Sequence, residues 1–187
     1  GGNRGIGQAI ARGLAAQGID VTIGSRDPAA GAIAAREIGC RALHLDLNDP
    51  DTYFAAVTQA GGYDILVNNA GILNHGSLLE KGSDFDEAMQ VMVHAPLDLI
   101  RLNVPHWRQT GWGRIVNLSS GWGAFTEGLG GPGAYGVAKA ALNALTKALP
   151  RDLPRGVKIN AMCPGWVATR MGGASAPLTP DQGADTA

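Results

Sequence analysis

Three polar side chains have the types and the spacing that suit proton transfer to a carbonyl group. Tyr135 and Lys139 are four residues apart, which on a helix puts the phenol and the ammonium on one face. A phenol with a pKa near ~10 is a weak acid–base catalyst at neutral pH, so a neighbouring cation is expected to lower that pKa. Ser120 ends an apolar run fifteen residues before Tyr135 and could hydrogen-bond the carbonyl oxygen. The alternative is a half-buried tyrosine beside a lysine whose stem covers apolar surface.

A glycine-rich segment at the start of the chain suits the binding of a phosphate. It runs directly into an amphipathic pattern, so the first N–H groups and the positive dipole end of a helix would face the anion. The spacing differs from the common G-x-G-x-x-G fingerprint, because Ile10 stands at the third glycine. An ordinary glycine turn before a helix is the alternative. The residues predicted to contact a cofactor here are Gly1, Asn3, Arg4, Gly5, Ile6 and Gly7.

Two arginines indicate which dinucleotide this site would prefer. In nucleotide-binding α/β folds an acidic residue after the second strand binds the ribose 2′-hydroxyl, whereas an arginine accommodates a 2′-phosphate. Ser25 stands where the acid is expected, Arg26 follows it, and Arg4 lies in the glycine loop. The pattern favours NADP(H) over NAD(H). Solvated surface arginines are the alternative.

Composition and charge argue against several other classes of protein. Of the 187 residues, 45% are hydrophobic and 17% are charged, and the formal net charge is −1. This balance suits one domain with a sizeable core and argues against a nucleic-acid partner. Two cysteines indicate a reducing, cytoplasmic compartment, and no apolar run in the sequence is long enough to span a membrane. The four histidines show no metal-ligand spacing, so no metal site is predicted.

Short β-branched runs alternate with longer alanine-rich amphipathic runs along the chain. This alternation is typical of an α/β fold with a doubly wound parallel sheet in three α/β/α layers. The predicted strands are Asp20–Ser25, Arg41–Leu47, Asp64–Asn68, Arg114–Ser119 and Val157–Met162, of which the apolar Asp64–Asn68 is expected to be covered on both faces. The predicted helices are Gly7–Gln17, Pro28–Ile38, one opened by Asn48-Asp49-Pro50 and ended by Gly61, Ser83–Arg108 with a bend at Pro96, Ala134–Leu149, and one beginning near Thr179.

Six motifs, in order and over nearly the whole chain, resemble those of the short-chain dehydrogenase/reductase family. The matching residues are Gly1, Gly5 and Gly7, then Asp46, Asn68-Asn69-Ala70-Gly71, Ser120, Tyr135 with Lys139, and Pro164–Thr169. The resemblance implies cofactor contacts at Asp46, Leu47, Asn69, Ala70, Gly71, Tyr135, Lys139, Pro164, Gly165, Val167 and Thr169. It also implies a single Rossmann-like NAD(P)-binding domain over residues 1–187, truncated at both ends. The carbonyl-reductase-like branch is the most similar.

The resemblance further implies an oxidoreductase that transfers a hydride between NADP(H) and a small carbonyl or alcohol substrate. Tyr135 would be the catalytic acid–base, Ser120 would orient the carbonyl oxygen, and Lys139 would tune the phenol and bind ribose. Family members often form homo-oligomers, so one is expected here. Candidates for an apolar substrate pocket, each with core packing as the alternative, are Trp122, Phe125, Leu129, Trp166 and Met171.

One residue departs from the family's pattern. The family usually has an asparagine 28 residues before the catalytic serine, where it holds a water in the proton relay, and Met92 stands there in this chain. A thioether is a weak acceptor and cannot donate a hydrogen bond. His94 lies two positions further along the same predicted helix and is expected to point to another face. The departure leaves open an alternative function, a catalytically weakened NAD(P)-binding regulatory protein on the same fold.

Overall fold

The computed structural model describes residues 1–80 and 84–187, and these form two compact units. The first unit comprises Gly1–Ala56 together with Pro164–Ala187, and the second comprises Val57–Cys163. Parallel strands alternate with helices along the chain, which confirms the α/β class predicted from the sequence pattern.

The first unit contains a two-stranded parallel sheet. In it, β1 (Thr22–Ser25) pairs with β2 (Arg41–His44). The helices of this unit are α1 (Gly5–Ala16), α2 (Pro28–Ile38), the start of α3 (Pro50–Ala60), and α7 (Pro180–Ala184), which packs against α1. Thr179 caps α7 through a capping box with Gln182, so the helix expected near Thr179 is confirmed.

The bounds of α2 are those that the sequence predicts, because each end carries a local signal. Asp27 precedes the helix, and its Oδ1 accepts the N–H groups of Ala29 and Ala30 at 2.9 and 3.1 Å. Pro28 occupies the first turn, where a backbone N–H has no acceptor within the helix, so the absence of this N–H in proline costs no helical hydrogen bond. Gly39 follows the last turn with a φ of 78°, a left-handed conformation that glycine adopts without strain.

A side chain ends β2 earlier than the predicted strand Arg41–Leu47. The N–H of Asp46 donates to Thr52 Oγ1 at 2.9 Å, and the Thr52 hydroxyl donates to the carbonyl of Asp49 at 2.7 Å. The backbone at Asp46 therefore bonds to the first turns of α3 instead of continuing the sheet.

The second unit contains a three-stranded parallel sheet in the order β3-β4-β5. Its strands are β3 (Ile65–Asn68), β4 (Gly113–Leu118) and β5 (Val157–Met162). The first three residues of β3 are half-buried, so the expectation of cover on both faces is wrong. In this sheet β3 is an edge strand, whereas the central β4 alternates between buried and half-buried residues.

The long helix predicted for Ser83–Arg108 is divided by an irregular turn. Ser83 lies outside the described residues; α4 covers Phe85–Met89, a π-helical turn covers Gln90–His94, and α5 covers Ala95–Thr110. The predicted bend at Pro96 is replaced by this wider turn just before the proline. Proline has no N–H to donate to the carbonyl four residues earlier, that of Met92, and its ring crowds that carbonyl, so regular α-helical bonding fails there.

The helix α6 (Tyr135–Ala148) carries two of the predicted catalytic residues. It packs against β5, against the π-helical turn and against a short 3₁₀ turn at Gly121–Gly123. Its buried face includes Ala138, Lys139 and Leu142. Of the two positions that the sequence places on one face of this helix, Lys139 is buried in the interior of the unit and Tyr135 is half-buried.

Candidate functional site

The predicted catalytic residues lie together in the second unit. Ser120 follows the end of β4, where parallel strands present their carboxyl ends, and Tyr135 and Lys139 occupy the first two turns of α6. The Ser120 and Tyr135 side chains are hydrogen-bonded to each other. The Lys139 Nζ lies 5.6 Å from the centroid of the Tyr135 ring. The structure thus brings the serine, the tyrosine and the lysine into one cluster, as the sequence predicts.

Lys139 is the most deeply buried charged side chain of this cluster, with 3% of its surface exposed. Its Nζ donates to the carbonyl of Leu118, the last residue of β4, at 2.5 Å. Desolvation lowers the pKa of Lys139 to about 8, while interaction with Cys163 opposes that shift. The backbone of Gly123 approaches this residue closely, since a Cβ at Gly123 would lie 2.6 Å from the Lys139 carbonyl carbon. Packing therefore fixes the ammonium under the end of β4.

The sequence predicts a lowered pKa for Tyr135, and this prediction is wrong. Burial raises the pKa of Tyr135, because the desolvated phenol resists ionisation. The hydrogen bond with Ser120 acts in the opposite direction but is the smaller effect. Lys139 donates one N–H of its ammonium group to the Leu118 carbonyl. The phenol is accordingly held in its protonated, donating form.

Two adjacent serines end β4 and differ in their surroundings. The Ser120 Oγ accepts the backbone N–H of Trp122 at 3.2 Å and is hydrogen-bonded to Tyr135. The Ser119 Oγ is buried and has no hydrogen-bond partner among the described residues. Of the two hydroxyls, the one that the family resemblance assigns to catalysis is the one that contacts the tyrosine.

A buried chain of polar side chains, missed by the sequence reasoning, ties the Asn68–Gly71 motif to α6. Asn68 Nδ2 donates to Asn117 Oδ1 at 2.8 Å, and Asn117 Nδ2 donates to Thr146 Oγ1 at 2.9 Å. The Thr146 hydroxyl donates to the Leu142 carbonyl at 2.8 Å. Asn117 interrupts an otherwise apolar strand, and an amide at a core position is a signal that could have revealed the network. The motif's neighbours Asn69, Ala70 and Gly71 are half-buried just beyond β3.

The glycine loop lies in the first unit and leads into α1 as predicted. The helix begins at Gly5, whose φ is +55°, and among the described residues no side chain caps the N-terminus that follows Arg4. A Cβ at Gly2 would lie 2.7 Å from Ile23 Cβ, so the loop approaches β1 closely. Asn3 and Ile6 are half-buried, and Gly7 is buried. Uncapped N–H groups at the start of a helix suit a phosphate, so these residues fit a dinucleotide.

The residues predicted to select NADP(H) differ in how accessible they are. Ser25 is 1% exposed, and its hydroxyl donates to the carbonyl of Asp27 at 2.7 Å. Arg4 and Arg26 are exposed, and neither forms a salt bridge with any residue the structure describes. The two guanidinium groups are therefore open to a ligand, whereas the serine hydroxyl is engaged by its own turn.

Two further predicted cofactor segments also belong to the first unit. At Asp46 one carboxylate oxygen accepts the N–H of Asn48 at 3.0 Å, and Leu47 is half-buried. Gly165, which follows the half-buried Pro164, has a φ of 78°. A Cβ on Gly5 would lie 3.3 Å from the Thr169 side chain, so the Thr169 segment packs against the glycine loop. Val167, between them, is 4% exposed and belongs to the core.

Met92 occupies the position at which the family usually has its relay asparagine, and His94 lies two residues further along the chain. Met92 is 1% exposed in the π-helical turn, whereas His94 is exposed. The different burial of the two side chains agrees with the expectation that His94 points to another face than Met92. A buried methionine, and not an asparagine, therefore occupies this position in the structure.

The five candidate pocket residues are large apolar side chains that core packing does not cover. Their exposed fractions are 47% for Trp122, 80% for Phe125, 36% for Leu129, 57% for Trp166 and 41% for Met171.

Over residues 1–80 and 84–187, no three His, Cys, Asp or Glu side chains are grouped so as to hold a metal ion. Within the same residues, no helix combines the length and apolar character needed to cross a membrane.

Comparisons with known proteins agree with the motifs. A family model for short chain dehydrogenases matches residues 1–178. The 3-alpha-(or 20-beta)-hydroxysteroid dehydrogenase of Mycobacterium tuberculosis (strain H37Rv) is 35% identical over 182 residues, which cover 91% of this chain and 68% of that protein. The cyclic-di-GMP-binding biofilm dispersal mediator protein of Escherichia coli (strain K12) is 34% identical over 183 residues, covering 95% of this chain and 75% of that protein.

Solved structures show the same likeness in three dimensions. The NADPH-bound carbonyl reductase from chicken fatty liver matches with a TM-score of 0.85 at 29% identity, covering 99% of this chain and 86% of that chain. The fold is therefore the doubly wound, Rossmann-like fold that the sequence predicts. With its motifs, its fold and its relatives in agreement, the chain belongs to the short-chain dehydrogenase/reductase family of oxidoreductases.

Proposed function

We propose that this protein transfers a hydride between NADP(H) and a small carbonyl or alcohol substrate, with Tyr135 as the catalytic acid–base. The observation that carries the proposal is the cluster in which Tyr135 is hydrogen-bonded to Ser120 and lies beside the buried Lys139. A protein that merely binds a nucleotide has no need of all three residues at the end of β4. Several relatives and structural neighbours are oxidoreductases, which supports the same reaction class.

The neighbours of Tyr135 would support the donation of its proton to a carbonyl oxygen. Burial raises the pKa of Tyr135, which keeps the phenol protonated at neutral pH but also makes it a weaker acid, so the proposed reaction requires neighbours that stabilise the phenolate. Ser120, hydrogen-bonded to that phenol, would orient the substrate oxygen and share the charge that develops on it. Lys139, held by the Leu118 carbonyl, keeps a positive charge available below a pKa of about 8. A charged ammonium near the phenol would stabilise the phenolate that forms when the proton leaves.

The residues of the first unit supply the proposed preference for NADP(H). The N–H groups at the start of α1 would hold the pyrophosphate, and the exposed guanidinium groups of Arg4 and Arg26 would pair with the 2′-phosphate. When bound, the nicotinamide cofactor supplies or accepts the hydride. The match to an NADPH-bound carbonyl reductase supports this preference.

The proposal is tested by following NADPH oxidation at 340 nm with purified protein and a panel of aldehydes and ketones. NADPH binding is measured in parallel through the fluorescence of the reduced cofactor. Turnover with at least one carbonyl compound, and weaker binding of NADH than of NADPH, is expected. Tight NADPH binding without turnover of any carbonyl would contradict the enzyme assignment.

A nucleotide-binding regulatory protein is the second candidate function. Met92 in place of the relay asparagine favours it, as does the 34% identity to the biofilm dispersal mediator, whose name describes cyclic-di-GMP binding. Calorimetry with cyclic di-GMP and, separately, with NADPH distinguishes the two candidates. Binding of cyclic di-GMP at micromolar concentration together with absent turnover would establish the regulatory function.

A further inference from the structure

Trp122 contacts both residues of the proposed proton-transfer pair. Its backbone N–H donates to Ser120 Oγ at 3.2 Å. Its indole meets the Tyr135 ring edge to face, with centroids 6.0 Å apart and ring planes at 89°. Edge-to-face geometry is a favourable aromatic arrangement, so the indole helps to set the orientation of the phenol.

Close backbone packing holds the indole in place. A Cβ at Gly131 would lie 2.8 Å from Trp122 Cε3, and one at Gly130 would lie 3.1 Å from its Cδ1. A Cβ at Gly136 would lie 2.9 Å from the Trp122 carbonyl oxygen. Glycines therefore let two backbone segments approach this residue, one along its ring and one at its carbonyl. The side chain is positioned by its neighbours even though it is not buried.

The same indole leaves 47% of its surface exposed beside the phenol. Phe125 and Leu129, which follow in the same loop segment, add further exposed apolar surface at 80% and 36%. A half-exposed aromatic ring that is fixed by packing offers a flat apolar surface without a large entropy cost on binding. Such a surface discriminates between ligands by the shape and polarity of the group that covers it.

We propose that Trp122 is a specificity-determining residue, and that it favours carbonyl substrates with a flat aromatic group next to the carbonyl carbon. The inference rests on the proposed function, since it takes Tyr135 as the proton donor. Stacking of the substrate's ring on the indole keeps the carbonyl oxygen near the phenol and Ser120. A small aliphatic aldehyde lacks this contact and gains nothing from the indole.

The test compares benzaldehyde with propanal, with NADPH as the cofactor, in the variants Trp122→Phe and Trp122→Ala. Trp122→Ala is expected to lower kcat/KM for benzaldehyde about tenfold more than kcat/KM for propanal, and the additional loss is expected mainly in KM. Trp122→Phe keeps an aromatic ring and is expected to restore most of the benzaldehyde activity. Equal losses for both aldehydes, or no loss for either, would overturn the proposal.

Trp112→Phe is the matched control. Trp112 is similarly exposed, at 40%, but it precedes β4 and stacks under the Arg114 guanidinium at 4.5 Å. This variant is expected to leave the ratio of the two kcat/KM values unchanged. Melting temperatures of all variants confirm that each is folded.

A binding measurement separates the failure of this inference from the failure of the proposed function. Calorimetry in the presence of NADP⁺ gives the Kd of benzaldehyde without turnover. If the wild-type protein reduces neither these two aldehydes nor any other carbonyl compound of the panel, the proposed reaction fails, and the Kd values still decide the role of Trp122. An unchanged Kd in Trp122→Ala refutes the inference, and a Kd about ten times higher supports it.

Discussion

The glycine loop of the first unit and the Ser120–Tyr135–Lys139 cluster of the second unit are built on opposite physical principles. The loop offers backbone N–H groups and exposed guanidinium groups. The cluster holds its ammonium at 3% exposure and its phenol in a hydrogen bond with a serine. Binding a polyanion requires positive potential that a ligand can reach, whereas proton transfer requires groups whose pKa values are set by removal from water.

This difference predicts how each region responds to substitution. In the cluster, one lost group removes a chemical step, so the effect on activity is large. In the loop, one lost charge weakens a contact that other groups still make, so the effect on affinity is graded.

Replacement of Tyr135 by phenylalanine is the strongest test of the cluster. The ring is retained but the transferable proton is lost, so kcat is expected to fall about 100- to 10,000-fold while NADPH binding persists. Initial rates of NADPH oxidation and fluorescence titration measure the two effects. Turnover near that of the wild-type protein would show that another group supplies the proton.

Lys139→Met tests the buried charge through the pH dependence of stability. The pKa of Lys139 is lowered from 10.5 to about 8 on folding, so the unfolded chain binds more protons between these values and stability rises with pH. The wild-type free energy of unfolding is therefore expected to rise by about 2–3 kcal/mol relative to the variant between pH 7 and 10.

Urea denaturation at several pH values measures this difference. Work above pH 10 is avoided, because the raised pKa of Tyr135 contributes with the opposite sign there. The control is Lys147→Met, which removes an exposed lysine from the same helix and is expected to leave the pH dependence unchanged. A pH-independent difference between wild type and Lys139→Met would show that Lys139 keeps its ordinary pKa.

Arg26→Ala tests the graded response of the loop region. Loss of one charge-assisted contact to the 2′-phosphate is expected to raise the Kd of NADPH about tenfold and to leave that of NADH nearly unchanged. Arg36→Ala, which removes an exposed arginine of α2, is the control. Equal changes for the two cofactors would mean that Arg26 does not recognise the 2′-phosphate.

Met92→Asn is expected to have the smallest effect on catalysis. The substitution restores the residue usual in the family, so kcat is expected to stay the same or rise, while the buried amide lowers stability by about 1–3 kcal/mol. Steady-state kinetics and thermal denaturation measure the two quantities, with Met92→Leu as the apolar control. A large loss of kcat in Met92→Asn alone would show that the proton relay has been rebuilt around the thioether.

Elements with signals at their own ends were predicted well, and elements that depend on distant partners were predicted less well. Asp27, Pro28 and Gly39 bound α2 locally, so its limits agree with the prediction. The strand predicted for Arg41–Leu47 is shortened because Thr52 captures the N–H of Asp46. That competition involves a side chain in the next helix, which a strand pattern does not contain.

The candidate site likewise contains local features that were predicted and long-range contacts that were missed. The four-residue spacing of Tyr135 and Lys139 was sufficient to predict that they share one helix face, because helical periodicity is a local property, and the motif order of the family predicted Ser120 beside them. The buried link from Asn68 through Asn117 to Thr146 was missed, since it joins residues 29 and 49 positions apart. The half-exposed position of Trp122 beside the phenol was likewise not predictable from its place in a glycine-rich loop.

The sequence by itself determined the family, the order of strands and helices, and the side chains that are proposed to carry the chemistry. These follow from local periodicity, capping residues and motifs whose members are close in the chain. The tertiary structure alone decided that the pKa of Tyr135 is raised and that the pKa of Lys139 falls to about 8. Both shifts arise mainly from desolvation, and burial depends on how distant segments pack around a side chain.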